Sequence, residues 1–231
     1  MHMIKQTKTS EVGVPVSMGR DEAWAAVWNA RDETRSDWNG CEALFASLAD
    51  YEAWVQQVAD LVTVELGLDS EDDLLDLGCG SGRHSAAIAP RVRSILALDY
   101  SRPALSIAAK KRALANVRYE WADLNNYDPA MFEGRTKAYA IGSMLYLKST
   151  EHVMNLVAEL NKGGCDVMLL DLPDAEMEDA RDRAYDRETY SHLHFRERDF
   201  LDAYPQSRIV RGRFPEYVND AVRFSVVVPA S

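Results

Sequence analysis

LLDLGCGSGRHS, residues 74–85, sets three glycines in five positions behind a short apolar run and ahead of a stretch with helical spacing. Leu74, Leu75 and Leu77 bounded by glycine read as a buried strand, and the residues after them as the turn into a helix. Glycine costs conformational entropy, so a cluster of it marks backbone that takes unusual turns or lies close against a bound molecule. The stretch therefore predicts a strand, a bare turn and a helix. Asp76 stands before the turn and Arg83 after it.

Working outward, short apolar runs alternate with amphipathic ones. Strands are expected at Leu74–Leu77, Ser94–Asp99, Val117–Trp121, Ala138–Ile141, Asp166–Asp171, Arg208–Val210 and Ala221–Val228. Helices are expected at Arg83–Ala89, Arg102–Ala115, His152–Asn161, Ala175–Tyr185 and Arg196–Ala203. Strands alternating with helices point to a mainly parallel sheet covered on both faces. In such sheets ligands bind beyond the carboxyl ends of the strands. Upstream, Trp24, Val27, Trp28 and Arg31 share a helical face. Residues 43–68 repeat apolar positions three and four apart, with a break expected near Asp50 and Tyr51.

A nucleotide-type ligand needs an acid at the tip of the next strand for its ribose hydroxyls, about 20 residues on. Asp99 closes SILALD, at the required distance from Gly78. The dinucleotide fingerprint also requires Gly or Ala where this chain has Arg83, and Asp76 is a poor neighbour for a diphosphate. An amino group suits that acid better. NAD chemistry is disfavoured on both counts.

These residues resemble the class I S-adenosylmethionine-dependent methyltransferases. LLDLGCGSG is similar to the family's first motif, Asp99-Tyr100 to its second and ADL, with Asp123 and Leu124, to its third. The resemblance implies an α/β, doubly wound Rossmann-like sheet of seven mostly parallel strands with an antiparallel C-terminal strand, plus an N-terminal helical cap. It implies S-adenosyl-L-methionine as cofactor. Gly78, Gly80 and Gly82 would let the backbone pass beneath it, with Asp76 near its methionine end. Asp99 would hold the ribose, Tyr100 and Leu124 would flank the adenine, Asp123 would accept from the adenine amino group, and Gly142 would end the fourth strand beside the cofactor.

On the acceptor side, GSMLYL (142–147) replaces the D/N-P-P-Y/F stretch of enzymes that methylate amino groups of nucleic acids. The resemblance thus favours small-molecule enzymes, with Tyr146 lining the pocket. His192 and His194 flank Leu193 in a long polar stretch, and in extended chain both point the same way; either is a candidate general base. The implied function is methyl transfer to an oxygen or nitrogen of a small metabolite such as a sugar, natural product or amine. The alternative is a non-catalytic module that holds the cofactor or its demethylated product for a partner protein.

Composition agrees with this reading. With 26 Lys and Arg against 37 Asp and Glu, the 231 residues carry a formal charge of −11, which opposes nucleic-acid binding. Cys41, Cys79 and Cys165 show no metal or disulfide spacing. The chain has no apolar run of membrane-spanning length and begins without a signal-peptide pattern. A cytoplasmic protein is expected, of unassigned oligomeric state with a homodimer as one option. The length suits a single domain over 1–231: a helical cap over 1–50, a Rossmann-like core over 51–231 and a lid-like insertion at 175–201.

Overall fold

The protein is described by a computed structural model over residues 19–31, 33–39, 41, 44–177, 192–214 and 216–230. Seven strands form one sheet: β1 (Asp73–Leu77), β2 (Ser94–Asp99), β3 (Val117–Trp121), β4 (Lys137–Ile141), β5 (Asp166–Pro173), β6 (Arg208–Val210) and β7 (Arg223–Val228). Their order is β3-β2-β1-β4-β5-β7-β6. The pairs across β3, β2, β1, β4 and β5 are parallel, whereas β7 runs antiparallel to both β5 and β6. The chain leaves β1 towards β2 and β3 on one side and returns to β4 on the other, so strand order reverses between β1 and β4.

Side chains alternate across the sheet and build two cores. Leu75 and Leu77 face one layer with α6 (Thr150–Lys162) and α7 (Glu197–Ala203). Leu74 faces the other, where α3 (Leu48–Leu66) presents Tyr51, Trp54, Val55, Val58, Ala59, Val62 and Leu66. The remaining helices are α1 (Arg20–Asn29), α2 (Glu33–Asp37), α4 (Arg83–Ile88) and α5 (Arg102–Lys111). Among the described residues no helix is long and apolar enough to cross a membrane.

Three of the elements whose bounds differ from the sequence expectation do so for a local reason. The helix expected to break near Asp50 and Tyr51 instead runs unbroken from Leu48, because Ser47 caps it by accepting from the Asp50 N–H at 3.2 Å. The helix expected to reach Ala115 stops at Lys111. Beyond it Arg112 donates to Asp37 and to the Ser81 carbonyl, while its own carbonyl accepts from the Tyr119 hydroxyl. The last strand starts at Arg223 rather than Ala221, since Asp220–Val222 is a turn of 3₁₀ helix and the Val222 carbonyl receives Asp174 N–H.

Of the helix expected over 175–185, Ala175–Met177 is turn and bend, and 178–191 lie outside the described residues, with most of the expected 175–201 insertion.

Candidate active site

The loops at the carboxyl ends of β1 to β5 open into one cleft of about 300 Å³, at the point where strand order reverses. The turn after β1 forms its floor. Gly78 and Cys79 both donate to the Leu98 carbonyl, at 2.8 and 2.9 Å, drawing the turn against the end of β2. Gly78 has φ 89°, and a Cβ there would stand 2.3 Å from Ser143 Cβ. A Cβ on Gly80 would stand 2.4 Å from Asn39 Oδ1. Gly82 does not line the cleft; the space a Cβ would take there is filled by the Tyr119 hydroxyl.

Asp76, Asp99 and Asp123 all line this one cleft. Asp99 accepts from Gly80 N–H through Oδ2 and from Ser101 N–H through Oδ1, each at 2.7 Å. Burial raises its pKa, and those backbone donors work against the rise. Asp76 is buried deeper. Its Oδ2 accepts from Ser85 Oγ and the Tyr139 hydroxyl, both at 2.5 Å. Burial pushes its pKa up to about 7 against those two bonds, with Asp99 adding to the rise. Asp123 caps its own loop by accepting from Asn125 N–H at 2.9 Å. Leu124 lines the cleft, and its carbonyl lies 2.7 Å from His152 Nε2. Gly142, at φ 58°, lines it at the end of β4.

Helix α1 lies across the mouth. The Tyr100 hydroxyl donates to the Ala25 carbonyl and accepts from Asn29 Nδ2 at 2.9 Å; Ser101 Oγ donates to the Trp28 carbonyl at 3.3 Å. Tyr100 therefore both lines the cleft and fastens its cover. Removing that hydroxyl in Tyr100→Phe costs about 1 kcal/mol of local hydrogen bonding. Proteolysis within α1 is expected to accelerate about fivefold, with cleavage in the core unchanged.

Beneath α1, Trp24 stacks on His192 at 4.8 Å between ring centroids, and Tyr146 meets both edge-on at 4.8 and 5.3 Å. His192 and Tyr146 thus share the cleft wall. His194 is not among the residues that line the cleft, and Leu193 between the two histidines packs against the core. A second strap follows α1, where Asp37 pairs with Arg83 at 3.3 Å, Lys111 at 3.2 Å and Arg112 at 2.6 Å. Asn39 Oδ1 accepts from Ser81 N–H at 2.8 Å, so this segment rests on the glycine turn itself.

Sequence reasoning missed the other half of the wall. Asp171, at the end of β5, has φ 62°, a conformation rarely adopted by a residue other than glycine and one that clusters at functional sites. Its Oδ1 accepts from the Tyr217 hydroxyl at 3.0 Å and lies 3.8 Å from Arg223 Nε. Trp54 sits 5.3 Å from the Tyr217 ring and 5.2 Å from His84. Burial, with Arg83 adding to it, pushes the His84 pKa down to about 3 and keeps the ring neutral. Trp54 and His84 both line the cleft. The only advance signal was the position of Asp171 at a strand end, because the others reach the cleft through long-range packing.

Residues 74–162 match the family described as Methyltransferase domain. Among solved structures, the chain is similar to Haemonchus contortus phosphoethanolamine N-methyltransferase 1, in complex with phosphoethanolamine and S-adenosylhomocysteine. The TM-score is 0.66 at 16% identity, with 91% of this chain and 49% of that one covered. This chain thus spans about half the length of that enzyme. It is also similar to an S-adenosylmethionine-dependent methyltransferase from Anabaena variabilis, with TM-score 0.61, 19% identity and coverage of 96% and 100%. Magnesium protoporphyrin IX methyltransferase from Synechocystis with bound S-adenosylhomocysteine gives 0.61, 13%, 90% and 97%. At these identities the likeness is one of fold, and the family match over 74–162 adds the domain. Residues 74–162 thus match a methyltransferase domain, and the chain has the fold of S-adenosylmethionine-dependent methyltransferases.

Proposed function

We propose that this enzyme transfers the methyl group of S-adenosylmethionine to an oxygen or nitrogen of a small metabolite. The observation that carries the reading is the single cleft that crosses the reversal of strand order. The motif residues lie at the β1–β3 end, and a wall of aromatic and polar side chains at the β4–β5 end lies under a helical cover. A cleft of about 300 Å³ is of the size that encloses small ligands.

The residues fit the cofactor. Backbone at Gly78 and Gly80 offers a surface without side chains, Asp99 stands where ribose hydroxyls need an acceptor, and Tyr100 and Leu124 flank a place for adenine beside Asp123. Gly142 continues that surface at β4, and Asp76 lies beneath the amino-acid end. Gly82 acts indirectly, by letting Tyr119 pack against the turn. When bound, the cofactor supplies a methyl group on a sulfonium, with a neutral thioether as leaving group. The protein's part is to hold the acceptor in line, exclude water and take a proton where the acceptor carries one. Tyr146 and His192 are the residues assigned to the acceptor side, and α1 excludes water. His194 has no place in this scheme.

The test is transfer of isotopically labelled methyl from S-adenosylmethionine in parallel incubations with a metabolite extract, duplex DNA and unfolded protein. Label is expected in compounds below about 1 kDa, the range of pocket-sized ligands. Label confined to DNA or protein would overturn the assignment.

A further inference from the structure

Among the described residues that line the cleft, Trp54 Nε1 and His84 Nδ1, on rings packed against each other, are buried without a hydrogen bond, as is the Tyr51 hydroxyl on the same helix as Trp54. Trp54 is 7% exposed and His84 6%, and both residues line the cleft. Buried polar atoms are nearly always partnered, so a pair of orphans on packed rings of one cavity wall marks a place where a ligand completes the bonding. The pair is continuous with the end of β5. His84 packs on Trp54, Trp54 on Tyr217, and Tyr217 donates to Asp171, whose Oδ2 stands 3.2 Å from where a Gly142 Cβ would be.

The chemistry of those atoms selects the partner. Indole Nε1–H only donates, so the group against it must accept. An ammonium has donors alone and leaves it unpaired. A carboxylate or phosphate would accept, but it would enter a cleft lined by six carboxylates and two guanidiniums. Arg31 lies over the Trp28 ring at 3.6 Å and Arg223 beside Asp171, so the carboxylates outnumber the cations and each cation already has a neighbour in the protein. His84 is neutral and offers an anion no charge. A hydroxyl satisfies both orphans, accepting from Trp54 and donating to His84 Nδ1 in the tautomer that leaves that nitrogen free of hydrogen.

Resting on the methyltransferase reading above, we infer that the lobe formed by Trp54, His84, Tyr217 and Asp171 is the acceptor subsite and holds an uncharged, hydroxyl-bearing small molecule by that hydroxyl. The hydroxyl is the handle of the acceptor.

The full chain loaded with S-adenosylhomocysteine tests this, using cyclohexanol, cyclohexylammonium and cyclohexanecarboxylate as probes of equal ring size, followed by saturation-transfer NMR. Cyclohexanol is expected to bind at least about tenfold more tightly than either ion, a difference of about 1.4 kcal/mol. Trp54→Phe, which keeps an aromatic ring and loses the donor, is expected to erase most of that preference while S-adenosylhomocysteine affinity by calorimetry stays within about twofold. An ionic probe that matches cyclohexanol, or no binding by any of the three, overturns the inference. So does a tenfold loss of S-adenosylhomocysteine affinity in Trp54→Phe, which would give Trp54 to the cofactor. Should Trp54→Phe fail to fold, the wild-type ranking of the probes decides alone. Failure of the wild-type chain to bind S-adenosylhomocysteine at all is the separate result that defeats the methyltransferase reading.

Discussion

Gly78→Ala is expected to abolish detectable binding of S-adenosylhomocysteine and to lower the melting temperature by about 10 °C. Two costs combine at this position. A residue with Cβ at φ 89° loses about 1–2 kcal/mol to left-handed strain, and forcing its methyl to 2.3 Å from Ser143 Cβ adds about 1–3 kcal/mol of overpacking. In a chain of this size each kcal/mol moves the melting point by about 2–4 °C. Ser143 cannot simply swing away, since its Oγ donates to the Leu77 carbonyl at 2.6 Å. Gly67→Ala is the control. It shares a positive φ of 60° at the end of α3, but nothing lies within 4 Å of its Cβ position. It is expected to show only the backbone strain and to bind normally. Calorimetry of unfolding and of ligand binding on the two variants separates the effects, and equal behaviour of both would refute the steric account.

Asp76→Asn is expected to stabilise the protein increasingly as pH rises. In the unfolded chain this carboxyl titrates near 3.8, and in the folded protein burial lifts it to about 7. Between those values the unfolded chain releases a proton that the folded one retains, so the native state loses stability as pH climbs from about 4 to 7 and then levels. A separation of about three in pKa corresponds to about 4 kcal/mol above pH 7. The asparagine carbonyl accepts from Ser85 and Tyr139 as the carboxylate does, without ionising. Denaturant titrations at pH 4 and pH 8 check this: the variant should gain little at pH 4 and several kcal/mol at pH 8. A gap that does not change with pH would show that Asp76 titrates as an ordinary carboxylate.

The half of the site built from consecutive residues was legible in sequence. Strand ends such as Asp99 follow from short apolar runs closed by an acid, and β2, β3 and β6 have the bounds their patterns predict. Gly78 and Gly80 were legible because the need for bare backbone is local. Gly82 read as part of the same cradle, yet the reason for it is Tyr119, a residue of another strand. Trp54, His84, Tyr217 and Arg223 come from four segments that meet only when α3 and the stretch before β7 pack on the sheet, and no spacing rule links them. The start of α3 was missed because a serine cap outweighed an apolar pattern that looked interrupted.

The two straps across the cleft differ in kind. Helix α1 is tied by neutral hydrogen bonds from Tyr100 and Ser101 and by Arg20 donating to the Leu145 carbonyl, whereas the segment over the glycine turn adds to its neutral bonds with Ser81 the ion pairs of Asp37 with Arg83, Lys111 and Arg112. Dissolved electrolyte weakens attractions between exposed charges and leaves uncharged bonds nearly untouched. Ionic strength therefore acts more on the second fastening than on the first, and chiefly at Lys111, the most exposed of the three cations at 44%. Brine and distilled buffer will thus find the same enzyme differently latched.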